Sequence, residues 1–160
     1  MTACAGIRLA REEDFEGIMR IENACFPGEL AYSRAQMRYL VFKSRSVTLV
    51  EVSGGAMRGY ISMLCRRNSE MACLETIGVL PRYRSQGVGR RLLEAAEKIM
   101  ISKGAERFRL EVSAGNKAAI SMYRKAGYSI TETLPEFYIY DHNGTRTAYR
   151  MEKAIDTKVK

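Results

Sequence analysis

The run Val79-Leu80-Pro81-Arg82-Tyr83-Arg84-Ser85-Gln86-Gly87-Val88-Gly89-Arg90-Arg91-Leu92-Leu93 has the make-up of an anion cradle. A strand-like segment ends, a basic glycine-containing turn follows, and an amphipathic helix begins. Gly87 and Gly89 let backbone N–H groups approach a ligand closely. The helix N-terminus adds unpaired donors and the positive end of its dipole. Arg84 and Arg90 or Arg91 add full charges, so the site suits a pyrophosphate. Neither of the commoner phosphate loops is present. G-x-x-x-x-G-K-[ST] is missing, and a dinucleotide fingerprint would need glycine where Leu92 stands. The glycines alone would serve equally as a tight strand-to-helix junction. Arg84, three residues before Gly87, tips the reading toward anion binding.

A second group follows: Leu110-Glu111-Val112-Ser113, then Asn116-Lys117-Ala118-Ala119-Ile120-Ser121-Met122-Tyr123. Glu111 sits within an apolar strand, where an unpaired carboxylate is costly. It either faces solvent or serves a site. Asn116 suits a helix N-cap, and Tyr123 falls on the apolar stripe of its helix, where core packing is the plain reading. Other chemistries find no support. The four cysteines, at 4, 25, 65 and 73, form no C-x-x-C, and the one histidine, His142, is remote from them in sequence. No zinc or other metal site is expected, and no Ser/His/Asp or Cys/His arrangement is visible.

These residues must be carried by an ordered set of elements. Gly6 to Ala10 reads as a first strand and Glu12 to Cys25 as a helix, acidic in its first turn and apolar at Phe15, Ile18, Met19 and Cys25. Pro27-Gly28 ends it. Ser33-Arg34-Ala35-Gln36 is a capping box opening a second helix through Val41. Three strands, Val47 to Val52, Gly59 to Arg66 and Ala72 to Val79, are joined by short turns and are expected to be antiparallel. A helix after Gly89 closes at Gly104. A strand from Arg107 to Val112, a helix through Ala126 closed by Gly127, and strands Tyr128 to Leu134 and Ala148 to Lys153 complete the chain. Asp141 to Gly144 is a turn. The order β-α-α-β-β-β-α-β-α-β-β predicts an α/β (α+β) domain: a mixed, mostly antiparallel central sheet with helices on both faces.

The chain has 160 residues, 46% hydrophobic and 28% charged, with a net charge of +8. That length predicts one domain, able to bury about two-thirds of its surface without staples. The domain is expected over residues 1–153, with a basic, solvated tail at 154–160. Free thiols and the lack of a secretory leader or a membrane-length apolar run predict a cytoplasmic protein that does not enter membranes. The positive charge favours polyanions: nucleic acid, a ribosome, or a phosphate-bearing cofactor.

Taken together, Arg84-Ser85-Gln86-Gly87-Val88-Gly89, Leu110-Glu111-Val112, and Asn116 with Ala119, Tyr123, Gly127 and Tyr128 resemble the GNAT superfamily of acetyl-CoA-dependent N-acetyltransferases. The element order, from about Ile7 to about Lys153, resembles the GNAT acyl-CoA N-acyltransferase fold. Ile21-Glu22, Cys25-Phe26-Pro27 and Phe137-Tyr138 resemble the branch that acetylates ribosomal-protein alanine and other protein N-termini. The resemblance implies that the strand before the glycine turn splays from its parallel neighbour and admits acetyl-CoA. Ile77 and Val79 would bond the pantetheine arm through their backbones. Arg84, Ser85, Gln86, Gly87, Val88, Gly89 and Arg90 would hold the pyrophosphate, and Asn116 the pantetheine. Tyr123 would protonate the departing thiolate, and Glu111 would draw a proton from the amine, often through water. Glu75 is an alternative base or a solvated strand residue. Glu29, Tyr32 and Tyr138, with Tyr140, flank the acceptor site in the family.

The implied acceptor is the N-terminus of a protein or peptide. An α-amine with a pKa near 7.8 is about 14% neutral at pH 7, against about 0.04% for a lysine near 10.4. A modest carboxylate base therefore serves an α-amine more readily. A small-molecule amine, such as a polyamine, amino acid or antibiotic, is the alternative within the class. A non-catalytic basic module docking on RNA or a ribosome is the alternative outside it. Otherwise nucleic acid enters only through a ribosomal substrate. A monomer or homodimer is expected.

Overall fold

The computed structural model describes residues 6–156; Cys4 and residues 157–160 of the expected tail lie outside the described residues. Strands β1 (Gly6–Leu9), β2 (Ser46–Ser53), β3 (Ala56–Cys65), β4 (Met71–Val79), β5 (Arg107–Ser113), β6 (Ser129–Leu134) and β7 (Ala148–Ala154) form one sheet. Helices α1 (Phe15–Cys25), α2 (Arg34–Phe42), α3 (Val88–Ser102) and α4 (Lys117–Lys125) cover it. The sheet order is β1-β2-β3-β4-β5-β7-β6. Every neighbouring pair is antiparallel except β4 and β5. The mixed, mostly antiparallel sheet expected from the sequence is the one observed.

Alternation along the central strands divides the interior in two. Val50 and Tyr60, opposite each other on β2 and β3, join Phe15, Ile18, Ile21, Met37 and Leu40 beneath α1 and α2. Their neighbours Leu49 and Ile61 face the other way, against Leu92, Leu93, Met100, Phe108, Leu110 and Met151. A period of two thus gives each face of the sheet its own apolar layer.

Several ends differ from expectation. The segment read as a helix from Glu12 begins as a 3₁₀ turn, Glu12–Asp14. There Asp14 turns back to accept the Arg11 N–H at 2.7 Å and to pair with Arg8, also at 2.7 Å. Tyr128 precedes β6 rather than opening it: its hydroxyl donates to Glu97 at 2.7 Å, which holds it in the core beside α3. The last strand inserts between β5 and β6, an order the sequence did not specify. β7 runs to Ala154, and the Ile155 N–H donates to Glu106 O at 2.9 Å, so the chain remains docked two residues past the expected domain end. Ser33 and Gln36 form the expected capping box, and Gly104 ends α3 with φ +100°. No helix among the described residues is long and apolar enough to cross a membrane.

The feature that creates a site is a fork. β4 and β5 pair only at Met71↔Arg107, Ala72↔Phe108 and Cys73↔Arg109, then separate. On the other edge of β4, the register with β3 passes from Met63↔Leu74 to Ser62↔Thr76, so Glu75 is an extra, bulged residue. A bulge bends its strand and re-aims its side chain. It sits just where β4 leaves β5.

Candidate active site

The glycine-containing turn closes one end of the fork. Pro81–Tyr83 makes a 3₁₀ turn after β4, Ser85 and Gly87 take φ of +62° and +81°, and α3 begins at Val88. Gly87 is the α3 N-cap and has no side chain with which to occupy the helix N–H groups. Those donors remain free for an anion. Gly89 packs closely on α4: a Cβ there would lie 3.1 Å from Met122 Sδ, which would have to move. The first turn of α3 thus lies against α4.

Strand geometry equips the long side of the fork. The Leu80 N–H donates to Arg58 O at 3.0 Å, so Leu80, and by alternation Gly78, face β3. Ile77 and Val79 consequently turn their N–H and C=O groups toward the fork. Arg84 folds back over this edge, donating Nε to Val79 O at 3.1 Å and Nη2 to Cys25 Sγ at 3.5 Å. Arg90 pairs with Glu94 on the surface at 2.7 Å. Asn116 Oδ1 accepts the Ala119 N–H at 3.2 Å and caps α4.

The ionisable residues gather where the strands part. Glu111 on β5 accepts from Arg150 Nε of β7 at 3.1 Å, directly across the ladder. Glu75 lies close enough to feel its charge. The walls of the surrounding recess displace water from Glu75, and this, with Glu111 second, holds its pKa above the usual carboxylate range. Tyr123 is 4% exposed, with its ring edge-on to Tyr128 at 6.0 Å. Burial raises its phenol well above the ordinary value, so it carries its proton at neutral pH. Tyr138, stacked on His142 at 3.8 Å, is pushed up to about 12 by burial and then by Glu111. Glu111 thus raises the pKa of both Glu75 and Tyr138.

Beyond Glu75 opens a recess of about 510 Å³, walled by Tyr32, Gln36, Tyr39, Leu40 and Leu64. Tyr32 is set by its backbone N–H, which donates to Glu22 Oε1 at 3.1 Å. Glu29, in the turn Gly28–Leu30, bonds the exposed Tyr140 hydroxyl and raises its pKa. Sequence reasoning gave no role to Glu22, although a carboxylate on the apolar stripe of Phe15, Ile18 and Met19 was the available signal. Glu22 is 1% exposed and accepts from the Tyr60 hydroxyl as well as from Tyr32. Burial raises its pKa, against the lowering effect of those bonds. It ties α1 to the sheet and to the wall of the recess.

Comparison with known proteins bears on this geometry. The profile of the acetyltransferase (GNAT) family matches residues 15–128. N-alpha-acetyltransferase 30 of Schizosaccharomyces pombe is 32% identical over 92 residues, which are 58% of this chain and 51% of that protein. Thialysine N-epsilon-acetyltransferase of Mus musculus is 39% identical over 54 residues, 34% of this chain and 32% of that protein. The chain therefore spans only about half and a third of these relatives' lengths. Among solved structures, the ribosomal-protein-S18-alanine N-acetyltransferase from Escherichia coli superposes with a TM-score of 0.85 at 24% identity, covering 96% of each chain, a likeness of fold. The family profile spans most of the chain, including both sides of the fork and the turn that closes it, and the protein belongs to the acetyltransferase (GNAT) family.

Proposed function

We propose that this protein transfers the acetyl group of acetyl-CoA to a primary amine, and that its acceptor is the N-terminal α-amine of a protein or peptide. The observation that carries the reading is the fork between β4 and β5, with the uncapped N-terminus of α3 at the end of β4, Glu75 on one strand and Glu111 on the other. Ile77 offers its N–H and C=O, and Val79 its N–H, to an amide-containing arm, the Val79 carbonyl being taken by Arg84. The turn from Arg84 to Arg90 receives the pyrophosphate.

The amine nitrogen bonds to the acetyl carbon as the carbon–sulfur bond breaks. A carboxylate takes the proton the amine sheds, through water, and Tyr123 gives its proton to the leaving sulfur. Glu111 is our first assignment for the base. One observation favours Glu75 instead: it has no ion pair among the described residues and its pKa is raised by burial and by Glu111, whereas the Glu111 carboxylate is engaged by Arg150. The α-amine suits either carboxylate because a useful fraction of it is already neutral. The relative named N-alpha-acetyltransferase supports this acceptor, and the one named thialysine N-epsilon-acetyltransferase supports a small-molecule amine as the second reading. The same reading puts the enzyme in the cytoplasm, as a monomer or homodimer.

The test is a panel of acceptors with acetyl-CoA, beside Gly87→Glu as a control. That variant forces a side chain onto φ +81° and brings a Cβ within 2.8 Å of Arg91 Nη1. Peptide α-amines are expected to exceed polyamines and free amino acids in kcat/KM by at least about tenfold, with activity lost in the variant. Equal or better turnover of polyamines would overturn the peptide assignment. No turnover of any amine, with no binding of acetyl-CoA, would overturn the enzyme itself.

A further inference from the structure

Beneath the glycine-containing turn lies an ion cluster built on a buried carboxylate. Glu51 of β2 is 1% exposed. It receives Arg91 Nε at 2.7 Å and Arg91 Nη2 at 3.2 Å, a two-point contact. On its other side it pairs with Arg58 Nη2 at 2.7 Å, and Arg58 Nε is buried with no hydrogen-bond partner among the described residues. Burying the Glu51 carboxylate beside Arg58 carries a desolvation penalty that apolar side chains of similar size would avoid, while Arg91 reaches it from the half-exposed side. It is tied to the turn by one further bond: Arg91 Nη1 donates to Gln86 O at 2.9 Å.

That bond has a directional consequence. A trans peptide is planar, and its C=O and N–H point in opposite directions. Holding the Gln86 carbonyl on Arg91 therefore fixes the Gly87 N–H on the opposite side, away from the ion cluster. The guanidinium can reach the carbonyl only because residue 87 lacks a Cβ, which would stand 2.8 Å from Arg91 Nη1. Gly87 thus meets two demands at once, a left-handed backbone and room for the arginine. Arg91 is spent on the turn's own backbone and Arg90 on Glu94.

We propose that Glu51 is a positioning residue for cofactor binding. Acting through Arg91, it presets the Gln86–Gly87 peptide so that the amides of the turn face a pyrophosphate before the ligand arrives. The proposal rests on the acetyl-CoA reading for its ligand, but the ordering of the turn stands without it. A preset cradle binds more tightly because less ordering remains at the moment of binding. The gain is confined to ligands that carry the pyrophosphate.

The experiment compares Glu51→Gln with wild type on acetyl-CoA and on S-acetylpantetheine, which lacks the pyrophosphate and nucleotide. The expected result is a rise of about tenfold in KM for acetyl-CoA, ~1.4 kcal/mol, with kcat nearly unchanged and kcat/KM for S-acetylpantetheine unchanged. Arg91→Lys, which keeps a positive charge opposite Glu51 but cannot bridge both partners, is expected to behave the same way and guards against a folding defect in the first variant. Equal losses on both thioesters, or no loss on either, would overturn the proposal. NMR backbone order parameters of the free proteins separate this failure from failure of the acetyl-CoA reading. Lower order parameters at residues 86–89 in the variants support the preset turn even if no thioester is turned over, and unchanged order parameters refute it.

Discussion

Glu75 and Glu111 differ in their neighbours rather than in kind. Glu111 has a cross-strand arginine, which also pairs with Glu132 at 2.7 Å. Glu75 has no ion pair among the described residues, and it has Glu111 as a like-charged neighbour. The same arrangement that makes Glu75 a readier proton acceptor makes it responsive to Glu111. Replacing Glu111 with Gln removes a negative charge, so the Glu75 pKa falls. If Glu75 is the base, the acidic limb of kcat/KM moves to lower pH and activity persists. If Glu111 is the base, the same variant loses most of its rate, on the order of 10²-fold or more, and its acidic limb disappears. A pH–rate profile of Glu111→Gln tells the two apart, and an unchanged profile would exclude both assignments.

At the scale of elements, the side proposed to take the acceptor depends on a loop held by one glycine. The turn containing His142 and Asn143 folds over the segment between β5 and α4, where Ser113 Oγ donates to His142 O at 2.6 Å. A Cβ on Gly115 would stand 2.2 Å from Asn143 O, so no side chain fits without moving that turn. His142 in turn stacks on Tyr138, whose N–H donates to Arg146 O at 3.1 Å. Gly115→Ala is expected to destabilise the fold by about 1–3 kcal/mol, the range for overpacking. It should also raise KM for the acceptor while leaving KM for acetyl-CoA near wild type. Thermal melts and a two-substrate kinetic analysis check both halves. An unchanged melting temperature and acceptor KM would show that the turn does not depend on this close approach.

At the scale of the whole molecule, β1 is joined to its sheet only through β2, and the segment after it is latched by Asp14. The Arg8 guanidinium, donating to both Asp14 oxygens, holds that carboxyl below the usual range, aided by the Arg11 N–H. A carboxyl whose pKa is lower in the folded state stabilises the fold above its unfolded pKa of about 3.9, and that stabilisation disappears as pH falls through the folded value. Wild type should therefore melt above Asp14→Asn at pH 7, with the gap closing below about pH 4. A gap that stays constant from pH 7 to pH 3 would mean the latch is not electrostatic.

Much of this protein is readable in order along the chain, because the signals are local. Alternating apolar residues mark the three central strands, the Ser33–Gln36 box marks a helix start, and Arg84 with Gly87 and Gly89 marks the turn between strand and helix. Each depends on residues within a few positions of one another, where backbone preference and capping act. The resemblance carried by those segments was enough to place the chain in its family and to expect a fork. The register of that fork was not local. Glu75 becomes a bulged residue only because β3 and β4 slip past each other, and its proximity to Glu111 needs the parallel pairing of strands separated by a whole helix. Glu22 meets Tyr60 and Thr76 only when α1 lies on the sheet. Glu51 finds Arg91 across 40 positions of sequence. A charge on an apolar stripe costs too much to remain unpaired, so the sequence could demand partners for these carboxylates. Only the packing of the sheet against its helices decided which partners they received.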